Sequence, residues 1–180
     1  MAYTTPRTWT AGETVTAALM NTHLRDNLTA IVAANPLVVP AARVYNNANQ
    51  SIPNNSATAL TFNSETFDTD TIHDTSTNTG RLTCKTAGIY EISASVAFAA
   101  HSTGTRALYF YLNGATTIAQ VRLRATPDGR TMLNLNTQYS LSVNDYIELY
   151  AYQNSSGALS VNEDDRFGCE FMMTYLGKVA

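Results

Sequence analysis

Three histidines, His23, His73 and His101, are the side chains best suited to proton transfer near neutral pH, and they stand far apart in unrelated contexts. No His-Glu-x-x-His, Gly-x-Ser-x-Gly or phosphate-cradling glycine loop accompanies them. Glycoside hydrolysis needs paired carboxylates facing a groove. Glu163, Asp164 and Asp165 are adjacent in sequence, but a solvated acidic loop explains them better. Asp68, Asp70 and Asp74, with Thr69 and Thr71, supply the oxygen ligands that calcium takes. Their spacing matches no known calcium loop, and a polar surface loop accounts for them. Arg122, Arg124 and Arg130 form a basic set suited to an anionic surface. Arg122 and Arg124 share a strand face, which favours structural pairing with Glu148 or Asp145. The sequence therefore offers no catalytic constellation, no metal-ligand set and no cofactor motif. It reads as a binding or structural protein, not an enzyme.

The elements that carry these residues change character at Asn35-Pro36-Leu37-Val38-Val39-Pro40. Before this segment, Met1 to Gly12 reads as an extended arm holding Pro6 and the only tryptophan, Trp9. A lone Trp in a terminal arm needs a surface to bury against. Thr14 or Thr16 then caps a helix running to about Ala34. Met20, Leu24, Leu28 and Ile31 fall on one helical face, with Arg25 and Asp26 on the wet side. Such a helix is roughly 27 Å long and marginal alone in water. Its apolar face must pack on its own domain, on sister helices or on a larger assembly. Pro36 and Pro40 stop the helix and stiffen the connection.

After the switch everything reads as strands. Leu133, Leu135, Thr137, Tyr139, Leu141 and Val143 alternate with Asn134, Asn136, Gln138, Ser140 and Ser142, which gives one apolar and one wet face. Tyr90, Ile92, Ala94, Val96 and Phe98 repeat the pattern. Ten strands are predicted between Arg43 and Tyr175, separated by Pro53-Asn54, Asn113-Gly114, Pro127-Asp128-Gly129, Asn144-Asp145 and Ser156-Gly157. The stretch from Thr66 to Thr79 reads as a long polar loop. Many short strands at this spacing predict an antiparallel sandwich.

Two strands lack a wet face. Ala107 to Leu112 places Leu108, Phe110 and Leu112 on one side, with Tyr109 and Tyr111 on the other. Tyr146 to Tyr152 opposes Ile147, Leu149 and Ala151 to Tyr146, Glu148, Tyr150 and Tyr152. A sandwich has one core, so the tyrosine face needs another cover. Aromatic side chains with few charges characterise the centre of a subunit interface. Tyr109, Tyr111, Tyr146, Tyr150 and Tyr152 are accordingly the expected interface residues of an oligomer. Loops or the N-terminal helix are the alternative cover.

Bulk composition narrows the class. A net charge of −3 with 14% charged residues excludes the basic stripe of a nucleic-acid binder. Lysine occurs only as Lys85 and Lys178, and the polar surface is mostly Thr, Asn and Ser. The first thirty residues lack the apolar core of a signal peptide, and no run is long enough to insert in a membrane. Assembly in a cytoplasm is expected. Cys84 and Cys169 are too few for a disulfide scaffold and read as reduced core thiols rather than a bridge.

At Gly80-Arg81-Leu82-Thr83-Cys84-Lys85-Thr86-Ala87-Gly88-Ile89-Tyr90 the sequence resembles the globular heads of the complement-one-q and tumour necrosis factor superfamily. Leu82 and Ile92 stand where that family carries Phe. Leu112-Asn113-Gly114 resembles its Asn-Gly hairpin. Leu141 to Leu149 resembles its Leu-x-x-Gly-Asp motif, with Asn144 in the Gly position. Phe62-Asn63, Phe67-Asp68 and the closing segment Phe171 to Gly177 complete the likeness. The resemblance implies a ten-stranded, trimeric jelly-roll head over residues 41–180 that binds rather than catalyses. The N-terminal segment, Pro6 to Glu13 and Asn21 to Leu28, resembles a leader of tailed-bacteriophage structural proteins. It implies a virion anchor over residues 1–40, with Trp9, Met20, Leu24, Leu28 and Ile31 as contacts. The combined expectation is a homotrimeric tail-fibre or tail-tip appendage, assembled in the host cytoplasm. It attaches to tail or capsid proteins and binds a host glycan or protein. A capsid decoration or head fibre that stabilises the particle is the alternative, and a glycan hydrolase is a remoter one.

Overall fold

The computed structural model describes residues 4–5, 7–34, 38–161 and 168–179, with the side chains of 32–34 left aside. Glu163, Asp164 and Asp165 therefore lie outside the described residues. The chain divides into two compact units, Met1–Val38 and Val39–Ala180.

In the first unit, the Thr16 hydroxyl accepts the Leu19 N–H at 3.3 Å and caps the helix. The helix runs through α1 (Ala17–Met20), a widened π-helical stretch (Asn21–Asp26) and α2 (Asn27–Ala34). The apolar stripe points away from cover: Met20, Leu24, Leu28 and Ile31 are 43, 54, 64 and 48% exposed. The buried positions are instead Asn27 and Ala30. The arm preceding the helix is not simply extended. It turns at Ala11-Gly12, where Gly12 has φ +82°.

The second unit is an antiparallel two-sheet sandwich. Twelve strands form among the described residues, not the ten predicted: β1 (Ala41–Tyr45), β2 (Gln50–Ile52), β3 (Thr58–Ala59), β4 (Ser64–Asp68), β5 (Arg81–Thr83), β6 (Gly88–Phe98), β7 (Thr105–Leu112), β8 (Thr116–Arg124), β9 (Thr131–Leu141), β10 (Tyr146–Gln153), β11 (Leu159–Val161) and β12 (Glu170–Gly177). The two additions are β2 and β4. β4 is a polar edge strand that occupies the start of the predicted loop. The larger, seven-stranded sheet runs β2-β11-β6-β12-β1-β4, with β9 on the other side of β6. The smaller, five-stranded sheet runs β3-β10-β7-β8, with β5 also on β10.

The alternation read from sequence is realised in burial. Tyr90, Ile92, Val96, Leu133, Phe171 and Met173 of the larger sheet face Leu82, Leu108, Phe110, Ile147 and Leu149 of the smaller one. Phe171 joins the two layers, with its ring centroid 5.5 Å from Phe62 and 5.6 Å from Phe110. The Asn113-Gly114 and Asn144-Asp145 turns form as predicted. Asn113, Gly114 and Asn144 have φ +52°, +70° and +74°, a region that Gly and Asn enter at least cost. This explains how Asn144 fills a glycine position.

Candidate binding surface and anchor

β10 and β7 pair with Tyr150 opposite Tyr109, Glu148 opposite Tyr111 and Tyr152 opposite Ala107. β5 brings Arg81 opposite Glu148, and β8 brings Arg122 opposite Ala107. Strand parity therefore gathers all five tyrosines onto the outer face of the smaller sheet. None is fully exposed, because the rings cover one another. The Tyr111 and Tyr150 centroids lie 4.6 Å apart, and those of Tyr109 and Tyr111 lie 6.2 Å apart. Burial, with Glu148 next to it, raises the Tyr150 phenol above its ordinary value.

Two arginines finish the cover. The Arg81 guanidinium sits 4.0 Å above the Tyr146 ring and donates to Glu148 at 3.1 Å. Arg122 donates to the Tyr109 hydroxyl at 2.7 Å and lies 5.2 Å from the Tyr152 ring centroid. It reaches Tyr152 across Ala107, whose small side chain leaves the space and is fully covered. The arginine partners anticipated from sequence are corrected here. Glu148 is taken by Arg81, and the Asp145 carboxylate accepts from Asn113 and from the Ser142 N–H. Arg122 and Arg124 form no ion pair with a described carboxylate. The Tyr109 contact raises the Arg122 guanidinium further, and an arginine here is charged at any working pH in any case.

Beside the aromatic face lies a cleft of about 430 Å³ whose lining includes Thr71, His73, Asp74, Asn78, Arg81 and Lys85. A second, of about 300 Å³, shares Asn78 and Arg81 with it. Of Asp68, Asp70 and Asp74, only Asp74 lines either cleft. Asp68 accepts from the N–H groups of Asp70, Ile72 and His73 at 2.8–3.0 Å. Asp74 accepts from Ser76 and Thr77, which lowers its pKa. Asp70 accepts from the Thr86 hydroxyl. Backbone amides take the place a cation would fill, and among the described residues no group of three or more His, Cys, Asp or Glu gathers to hold a metal.

The histidines have separate settings. His73 is buried between the Glu65 carboxylate, 2.8 Å from Nδ1, and the Thr79 carbonyl, 3.1 Å from Nε2. His101 Nδ1 accepts the Thr103 N–H. His23 lies edge-on to Trp9, with ring centroids 6.2 Å apart. Three loops, over residues 101–105, 125–130 and 153–157, converge. The Ala125 N–H donates to the Gly104 carbonyl at 3.0 Å, and the Thr105 N–H donates to Asn154 Oδ1 at 2.6 Å. Beneath them Arg106 is fully buried and donates to the carbonyls of His101, Thr103 and Thr105. Sequence reading missed this residue, although a charged side chain at a core-facing strand position was its signal.

In the leader, the Asn27 amide clasps the arm. Its oxygen accepts the Thr4 N–H and its nitrogen donates to the Thr4 carbonyl, both at 2.9 Å. Arg7 pairs with Glu13, and its guanidinium lies 4.9 Å from the Trp9 ring centroid. Trp9 is still 41% exposed. The arm and helix thus form a folded hook that carries an uncovered apolar stripe.

No family model matches the chain, and no curated protein matches it. Solved structures do match. Murine APRIL, solved at pH 5.0, superposes with TM-score 0.59 at 13% identity, covering 77% of this chain and all of that one. The globular domain of zebrafish complement 1qA protein superposes with TM-score 0.52 at 14% identity, covering 78% of this chain and 99% of that one. The head is therefore an antiparallel jelly roll of the tumour necrosis factor and complement-one-q type, as the sequence resemblance implied.

Proposed function

We propose that this chain is a virion structural protein of a tailed bacteriophage, a homotrimeric tail-fibre or tail-tip appendage whose jelly-roll head binds the host surface. The observation that carries this reading is the uncovered stripe of Trp9, Met20, Leu24, Leu28 and Ile31 on a leader that forms a unit of its own. Exposed apolar side chains grouped in this way mark a surface that another protein covers. The leader's sequence likeness to phage structural proteins supports a tail or capsid component as that protein.

Trimerisation draws support from the fold and from the outer side of the larger sheet. There Tyr45, Phe67 and Met132 are exposed, while Arg43 and Glu170 neutralise one another. The tyrosine face of the smaller sheet is the rival seam. It was expected from sequence to be covered by neighbouring copies, and its rings already have cover within the chain.

The test is transplantation. Residues 1–40 fused to a fluorescent protein should enter particles, and the Leu24→Asp, Leu28→Asp fusion should not. Gold label against the fusion on tails supports the appendage. Gold on capsids places the chain among decoration or head-fibre proteins. Equal incorporation of both fusions would refute the anchor.

A further inference from the structure

Resting on that reading, we propose that the outer face of the smaller sheet is a binding site for an acidic oligosaccharide. The site runs from the Arg81 cleft across Tyr111, Tyr150 and Tyr109 to Arg122 and Arg124. Its centre is a platform of contacting phenol rings, half-exposed and polar at the rim. Such a surface takes the apolar face of a sugar ring and offers hydroxyls to its edge.

Its two ends differ: in the cleft Asp74 and Glu148 offset Lys85 and Arg81, while the far end is cationic. At one end Arg81 is committed to Tyr146 and Glu148, and with Lys85 it lines the cleft. At the other, Arg122 uses one of its five N–H donors on Tyr109, and Arg124 meets no described carboxylate. The remaining donors form a fork matched to a carboxylate. From Tyr146 to Tyr152 the strand advances about 20 Å, a span that calls for several linked sugars rather than one.

Charge decides between the possible occupants. The chain is net negative, at −3, yet on this face Arg122 and Arg124 pair with no described carboxylate. A second copy of the chain seated here would desolvate those like charges, whereas interface centres are depleted of charge. A neutral glycan would leave the guanidinium fork unused. An anionic chain of sugars uses both the rings and the charges. The converged loops at Gly104, Ala125 and Asn154 border the Arg124 end, since Arg124 pairs with Thr105 on β7.

The test uses the full chain and a panel of uronate- and sialate-bearing oligosaccharides, each beside its carboxyl-reduced counterpart, measured by calorimetry. At least one acidic member should bind tenfold or more tighter than its reduced form. The double variant Arg122→Gln, Arg124→Gln should erase that preference while its far-UV circular dichroism stays that of the folded chain. Tyr150→Leu should weaken acidic and reduced forms alike. Equal binding of each pair, or binding of no member, overturns the proposal. So does conversion to monomers by Tyr109→Asp, which would make this face the seam between copies. If the panel fails while the chain still adsorbs to host cells, the host-binding function stands and only the glycan assignment falls.

Discussion

Replacing Asn27 with Ala separates the stability of the leader's helix from that of its hook. Asn27 is buried and exchanges two hydrogen bonds with the Thr4 backbone, each 2.9 Å long. A net worth of about 1 kcal/mol per bond makes the loss about 2 kcal/mol, or roughly thirtyfold in the ratio of closed to open arm. Helix propensity moves the other way, because Ala is favoured over Asn by about 0.5 kcal/mol in a helix interior. The variant should therefore keep or slightly gain helicity by far-UV circular dichroism. Its Thr4 amide should exchange with deuterium roughly thirtyfold faster. The unfolding midpoint of the head should stay where it was. An unchanged Thr4 exchange rate would show that the side chain does not hold the arm. A fall in helicity would show that it stabilises the helix instead.

Three further outcomes follow from the head. Arg106→Met leaves the carbonyls of His101, Thr103 and Thr105 without their donor; urea titration should report a loss of about 2–4 kcal/mol, and a change below about 1 would refute its role as the loop clamp. Cys84 and Cys169 are free and buried; burial raises both thiols, Cys169 to about 12. A raised pKa keeps each thiol protonated at pH 8, so Ellman's reagent should find no reactive thiol before denaturation and both after it. Gly88→Ala puts a Cβ 2.5 Å from the Gly177 carbonyl oxygen and 2.3 Å from the Tyr175 ring; displacing the closing strand should cost about 1–3 kcal/mol, and an unaltered melting midpoint would contradict that.

The sandwich was legible because its long strands are two-faced. β6 and β9 show period-two burial where the sequence shows period-two hydrophobicity. β4 was not, because Ser-Glu-Thr-Phe-Asp at a sheet edge buries no residue fully and so writes no alternation. The helix and its cap were readable, as was the apolar stripe. That the buried face would centre on Asn27 was not, since its partner is a backbone amide 23 residues earlier. The tyrosine face could be found as two strands without a polar side. Its cover could not, because Arg81 and Arg122 reach it from strands whose register is set by the fold. The same holds for the aspartates of 68–74. Their types suggest a cation, and only the loop's geometry reveals that backbone amides answer them.

The most direct test of the division into anchor and displayed head is host adsorption by particles that carry only residues 1–40 of this chain. The account predicts particles that assemble, retain the truncated chain and fail to adsorb, with adsorption restored by supplying the full chain during assembly. Particles that adsorb normally without the head would contradict it.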